Sequence, residues 1–387
     1  MAVQGHCNPR FASLKSELES QLKSGNELGA SIVVNIDGEN VVDIWGGHAD
    51  SAHTLPWDRD TIANVWSSTK TITTLAALIQ ISRGHLDPDA PVSKYWPEFA
   101  QNGKDKVLVR HFLSHTSGVS GWEGPITWPE IYDPVTSVER LAAQAPWWEP
   151  GTASGYHAVN MGHLIGELIK RTSGKTLKQF VSDEIATPLG ADFQIGAAEQ
   201  DWPRVASLVP PPPAAFDFSK LDPNSPTVKT FANPVMDATN AHTPEWRRAD
   251  LGAVNGHGNA RSLVRILSTA VTLGKVDSDG VRLLSPETID RIFKVQADGT
   301  DVVIGIPVCF GTGYGLTSGG TATSVPWLPQ GKVCFWPGWG GSIVIMDLER
   351  KITFAYVMNK MGPGILGSDR TEAYVKAAYK ALGLDGY

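Results

Sequence analysis

Ser67-Ser68-Thr69-Lys70 opens a run of helical pattern that continues to Ser82 and stops at Gly84. A serine and a lysine three apart at a helix start project from one face, one turn apart. A serine hydroxyl is a poor nucleophile unless a neighbour accepts its proton. A lysine held beside it can do so once desolvation lowers its pKa, and the helix N-terminus favours negative charge developing on the serine oxygen. An ordinary serine-rich helix start has the same letters, so the pair needs partners elsewhere in the chain.

Two stretches supply them. Tyr156 lies in Gly151-Thr152-Ala153-Ser154-Gly155-Tyr156-His157-Ala158, a small-residue loop before an apolar helical pattern. A loop tyrosine can present its hydroxyl as a proton shuttle; a packed aromatic is the plainer reading. Trp336-Pro337-Gly338-Trp339-Gly340-Gly341-Ser342 joins two strand patterns. Its glycines allow close backbone approach and N–H donors for an oxyanion, or simply a hairpin turn.

Ser67-x-x-Lys70, then Tyr156, then a late Trp-x-Gly is the motif order of serine β-lactamase-like enzymes, and the chain resembles family VIII carboxylesterases. The resemblance extends through Asp43-Ile44-Trp45-Gly46-Gly47, Val109-Arg110-His111-Phe112-Leu113-Ser114-His115-Thr116-Ser117-Gly118, Asn255-Gly256-His257-Gly258-Asn259 and Tyr356-Val357-Met358-Asn359. It implies an α+β, β-lactamase/transpeptidase-like fold: an antiparallel sheet flanked by N- and C-terminal helices, with an inserted mostly helical lobe. By that resemblance Ser67 is the acylated nucleophile, and Lys70 and Tyr156 share the acid and base work. The backbone N–H groups of Ser67 and Trp339 form the oxyanion hole. Trp336, Gly338, His157 and Trp122 are the candidates for contact with substrate.

The departures shape the expected activity. Ala158 stands where class C β-lactamases carry the asparagine of Tyr-x-Asn, and Trp336 stands where a Lys-Thr-Gly lysine grips a substrate carboxylate. Both losses point from lactams and peptides toward neutral esters. Trp339-Gly340-Gly341 also fits Trp-x-Gly, so two registers are open. Hydrolysis and acyl transfer to a small alcohol, as in the lovastatin side-chain acyltransferase, share one acyl-enzyme chemistry. A residual β-lactamase activity and a catalytically silent scaffold are further alternatives. No Gly-x-Ser-x-Gly elbow occurs. Ser117, close to His115, has the letters of a nucleophile near a histidine; the resemblance implies that its segment is a structural turn.

The remaining patterns agree with that architecture. Leu14, Leu18 and Leu22 mark an opening helix. Ala30–Ile36 and Val41–Trp45 flank Asp37-Gly38, a hairpin signal. Helical patterns at Val107–Leu113 and Val159–Thr172 fill the middle, with a polyproline run at Pro210–Pro213. A helix over Ser262–Leu273 is followed by strands at Val333–Trp336, Ser342–Asp347 and Ile352–Met358 and a last helix over Arg370–Leu382. One lobe is therefore expected from 1–60 with 255–387, a helical lobe from 61–254, and the site in the cleft between them.

Composition narrows the class of partner. The 387 residues carry a formal charge of −7 without a basic stripe, which argues against nucleic acid or an anionic membrane. No apolar run reaches spanning length. Three cysteines without metal-like spacing, ten scattered histidines and no signal-like start predict a cytoplasmic protein with free thiols, no metal and no cofactor. The expected partner is a small-molecule ester; oligomeric state is left open. Trp122, Trp128, Trp147 and Trp148 either line the cleft or fill the helical core.

Overall fold

The computed structural model describes residues 2–213, 220–275 and 282–384. Its strands are β1 (Gln4–Cys7), β2 (Gly29–Ile36), β3 (Glu39–Gly47), β4 (Ala63–Asn64), β5 (Phe193–Ile195), β6 (Gly256–Gly258), β7 (Ala297–Thr300), β8 (Pro307–Phe310), β9 (Gly315–Leu316), β10 (Val333–Pro337), β11 (Ile343–Asp347) and β12 (Ile352–Met358). Nine of them form one antiparallel sheet in the order β1-β3-β2-β12-β11-β10-β9-β8-β7. The first and last parts of the chain thus meet where β2 pairs with β12, Ile32 opposite Tyr356.

Local chemistry explains the main elements. The β2–β3 turn is Asp37-Gly38, with φ of +50° and +96°, so both central residues adopt the left-handed conformation that a tight two-residue hairpin requires. β10, β11 and β12 are buried along their whole length, as continuous apolar runs bounded by turns should be. The helix Ala260–Leu267 packs against β2 and β12, and the helices Ala12–Ser24 and Asp369–Ala381 pack against each other. A buried ion pair fastens the last helix: Arg370 meets Glu27 at 2.7 Å, and Tyr356 and Tyr374 donate to the same carboxylate.

Between the two parts of the sheet the chain is mainly helical and irregular. The helix Thr69–Ser82 is buried from Thr69 to Gln80 and packs against the helix Met161–Ser173. Its second half is apolar almost all round, and its first turns bury Thr69, Lys70, Thr71, Thr73 and Thr74 as polar groups facing the site and neighbouring backbone.

Three features differ from the sequence expectation. β1 is an exposed edge strand of polar residues, with no apolar alternation to reveal it. β4, β5 and β6 form a second, three-stranded sheet whose centre is Gly256-His257-Gly258, again without strand-like letters. The helix expected from Ser262 begins two residues earlier, because the Asn259 side chain caps it through the Ser262 N–H, and residues Ser268–Thr272 widen into a π-type turn.

Candidate active site

Ser67 lies in a single-turn 3-10 segment, Trp66–Ser68, that leads into the helix Thr69–Ser82. Trp66 has φ +50°, a strained value for a bulky residue. Its ring is wedged edge-on between Trp246 at 5.5 Å and Trp339 at 5.0 Å, which fixes that backbone. The turn presents one side chain to the outside: from Thr61 to Gln80, every residue except Ser67 is buried.

Lys70 Nζ lies 3.1 Å from Ser67 Oγ, 2.7 Å from the Ala158 carbonyl and 2.9 Å from the Ala253 carbonyl. The side chain is 2% exposed, and no carboxylate pairs with it among the described residues. Burial alone therefore drives its pKa well below the ordinary lysine value. A neutral amine has two N–H groups and one lone pair. The two carbonyls take the N–H groups, which leaves the lone pair for the Ser67 hydroxyl proton.

Tyr156 faces the same oxygen. Its hydroxyl lies on the Ser67 side, close enough to influence its titration, and 3.2 Å from Trp336 Nε1, while Lys70 Nζ sits 4.8 Å from its ring centre. An indole nitrogen only donates, so Trp336 occupies a Tyr156 lone pair and leaves the phenolic proton free to point at Ser67. Burial, with Asp301 nearby, raises the phenol above its ordinary value and keeps it protonated.

The glycine-rich stretch is the β10–β11 turn. Gly338 N–H donates to the Ser342 carbonyl, Gly340 N–H to Gly364 and Gly341 N–H to Gly338. Among the described residues, the N–H groups of Trp339 and Ser67 make no such bond. Gly338 has no room for a side chain: a Cβ there would lie 2.2 Å from Ser342 Oγ and 2.3 Å from the Val65 carbonyl. Ser342 Oγ in turn donates to that carbonyl at 2.8 Å and meets Ser68 Oγ at 3.2 Å, which ties the turn to the segment carrying Ser67.

The beta-lactamase family model matches residues 14–379. The chain belongs to the beta-lactamase family. This family member is similar to "Esterase/beta-lactamase LipL" of Mycobacterium tuberculosis, 32% identical over 371 residues that cover 93% of this chain and 83% of the relative. A crystal structure of a family VIII carboxylesterase superposes with a TM-score of 0.90 at 33% identity, covering 98% of this chain and 100% of that one. EstA from Arthrobacter nitroguajacolicus Rue61a superposes with a TM-score of 0.87 at 28% identity over the full length of both chains.

Within this beta-lactamase-family fold the two Trp-x-Gly registers occupy different places. Trp336 lies on β10 with its indole at Tyr156, whereas Trp339 lies in the turn with its ring on Trp66. Trp336 packs in an apolar group with Tyr156, Ala158, Val303, Val308 and Phe310.

Two candidates for substrate contact are placed elsewhere. His157, expected at the cleft, is fully buried: its Nδ1 bonds the Gly155 carbonyl at 2.7 Å and its Nε2 the Ser117 hydroxyl at 2.6 Å. Ser117 is equally buried, so this serine–histidine pair has no access for a substrate. Trp122 is 2% exposed, donates to the Ser137 carbonyl at 3.0 Å and meets His163 edge-on; it is core of the helical part. Trp148 lies closer to the site, its ring against Gly155.

His115 and Asp301, which the sequence reading did not select, adjoin Tyr156. Neither carries a local motif for such a role. Among the described residues no His, Cys, Asp or Glu cluster fits a metal ion, and no helix is long and apolar enough to cross a membrane.

Proposed function

We infer that this chain is a serine hydrolase of carboxylic esters that works through an acyl-enzyme on Ser67. The observation that carries the reading is the hydrogen-bond arrangement of Lys70, which leaves one lone pair directed at the Ser67 proton. In acylation Lys70 takes that proton while Ser67 Oγ attacks the ester carbonyl. The N–H groups of Ser67 and Trp339 receive the developing oxyanion. The leaving alkoxide takes the Tyr156 proton, and Tyr156 recovers one from the Lys70 ammonium. Water then reverses these transfers and frees the acid, so protons balance over the cycle.

The preferred substrate is a neutral ester. Apolar side chains surround Tyr156, and Trp336 fills the place where a cation would hold a substrate carboxylate. In this reading the residues from 61–254 supply Ser67, Lys70 and Tyr156, those from 255–387 supply Trp336, Gly338 and Trp339, and the ester binds between them.

Mixing the protein with a short-chain p-nitrophenyl ester and quenching early should give one acyl mass increment on the peptide containing Ser67. An acyl increment on a residue other than Ser67, or p-nitrophenol release undiminished in Ser67→Ala, contradicts the route through Ser67. A competing small alcohol then separates the two fates of the acyl group: free acid marks a hydrolase, and a new ester marks an acyltransferase.

A further inference from the structure

Tyr156 has to keep its hydroxyl at Ser67, yet it belongs to a loop rather than to a helix or strand. Its placement therefore depends on what holds the loop backbone. On one side the Gly155 N–H donates to the His115 carbonyl at 2.8 Å, and the His157 N–H to His115 Nδ1 at 3.1 Å. On the other the Tyr156 N–H donates to Asp301 Oδ1 at 3.1 Å.

Asp301 is fully buried in the connection from β7 to β8. Its Oδ1 also accepts the N–H groups of Val303 at 2.9 Å and Ile304 at 3.0 Å. Its Oδ2 has no hydrogen-bond partner, and no cation pairs with the carboxylate among the described residues. A buried carboxylate without a counter-ion is costly. Three charge-assisted bonds from backbone N–H groups offset part of that cost, and an apolar side chain would avoid it altogether. What the carboxylate gains over such a side chain is a single oxygen joining two pieces of chain. One carries Tyr156. The other is the turn whose Val303 and Ile304 belong to the apolar group around Tyr156 and Trp336.

We propose that Asp301 is a positioning residue: it sets the Tyr156 hydroxyl relative to Ser67 and locks it to the Val302–Ile304 turn that flanks the substrate's apolar part. The proposal rests on the ester-hydrolase reading above. It assigns to Asp301 an effect on the step that Tyr156 serves, protonation of the departing alcohol, rather than on substrate affinity.

The leaving group separates this role from a purely structural one. p-Nitrophenolate departs without a proton, whereas benzyl alcohol requires one. The experiment compares kcat/KM for p-nitrophenyl acetate and benzyl acetate, which share an acyl group, in the parent, Asp301→Ala, Asp301→Asn and Ser67→Ala, with circular dichroism giving the folded fraction. For Asp301→Ala we expect a loss of about 100-fold on benzyl acetate and under about tenfold on p-nitrophenyl acetate. Asp301→Asn keeps an acceptor oxygen for the three N–H groups and should restore the ratio of the two rates toward the parent's. Equal losses on the two esters, or no loss per folded molecule, overturn the proposal. So does an Asp301→Asn protein with the same skewed ratio as Asp301→Ala. Ser67→Ala with parental activity would instead remove the ester-hydrolase reading itself, whatever the Asp301 variants do.

Discussion

Lys70 Nζ stands 3.1 Å from Ser67 Oγ while the Ala158 and Ala253 carbonyls hold its other two hydrogen bonds. This arrangement needs an amine that can lose its charge. Lys70→Arg keeps a cation but cannot act as a base, and Lys70→Ala removes the group. Both should lower kcat for a short-chain p-nitrophenyl ester by about 1000-fold. An arginine variant retaining a tenth or more of parental kcat would show that charge, not basicity, is what Lys70 supplies.

The same burial fixes the direction of the pH dependence. Lys70 titrates well below the ordinary lysine value, so its active, neutral form persists far to the acid side of that value. Activity should rise with pH along an acid limb and reach its plateau well before the ordinary lysine range near about 10. Tyr156 is raised, so its deprotonation should add no alkaline limb below the ordinary tyrosine range. A kcat profile that climbs only as pH approaches about 10 would contradict the assignment of Lys70 as base.

Stability should fall on the acid side for a separate reason. His157, His163 and His257 are buried, and desolvation lowers each to about 4. In the unfolded chain each binds its proton near about 6.5. Between these values the unfolded state holds more protons, so stability is full above the upper value and is lost as pH falls toward the lower one. With three such groups the slope near the middle of that window is on the order of 4 kcal/mol per pH unit. Thermal melts taken across it should show Tm dropping steeply; a flat Tm would mean that these histidines are not held neutral.

Gly338→Ala probes the proposed oxyanion role of the β10–β11 turn. The new Cβ would press on the Val65 carbonyl and Ser342 Oγ, and the backbone oxygen has little freedom to yield. The turn should shift the Trp339 N–H and lower kcat by about 100-fold in protein that still folds. Parental kcat in the alanine variant would remove this turn from the oxyanion site.

Much of the fold was legible because its signals are local. The Asp37-Gly38 hairpin, the run Ile352–Met358 and the helix beginning at Thr69 each announce themselves within a few residues. The Ser67–Lys70 pair was legible for the same reason, being one helical turn. The environment that suits Lys70 to the proposed role of base was not: its two other partners are main-chain carbonyls 88 and 183 residues away, and a carbonyl has no residue type to read. His157 and Trp122 stand in the sequence between cleft and core, because loop residues do not say which side of a loop faces water; folding buries both. Asp301 gave no signal either, since its role comes from three N–H groups gathered by folding.

The most direct test of the account is the hydrolysis of a short-chain p-nitrophenyl ester by folded Ser67→Ala beside the parent, with a fluorophosphonate probe applied to both. The parent should label once, on Ser67, and turn over, and the variant should lose labelling and about 1000-fold or more of kcat. A Ser67→Ala protein that hydrolyses the ester as fast as the parent would contradict it.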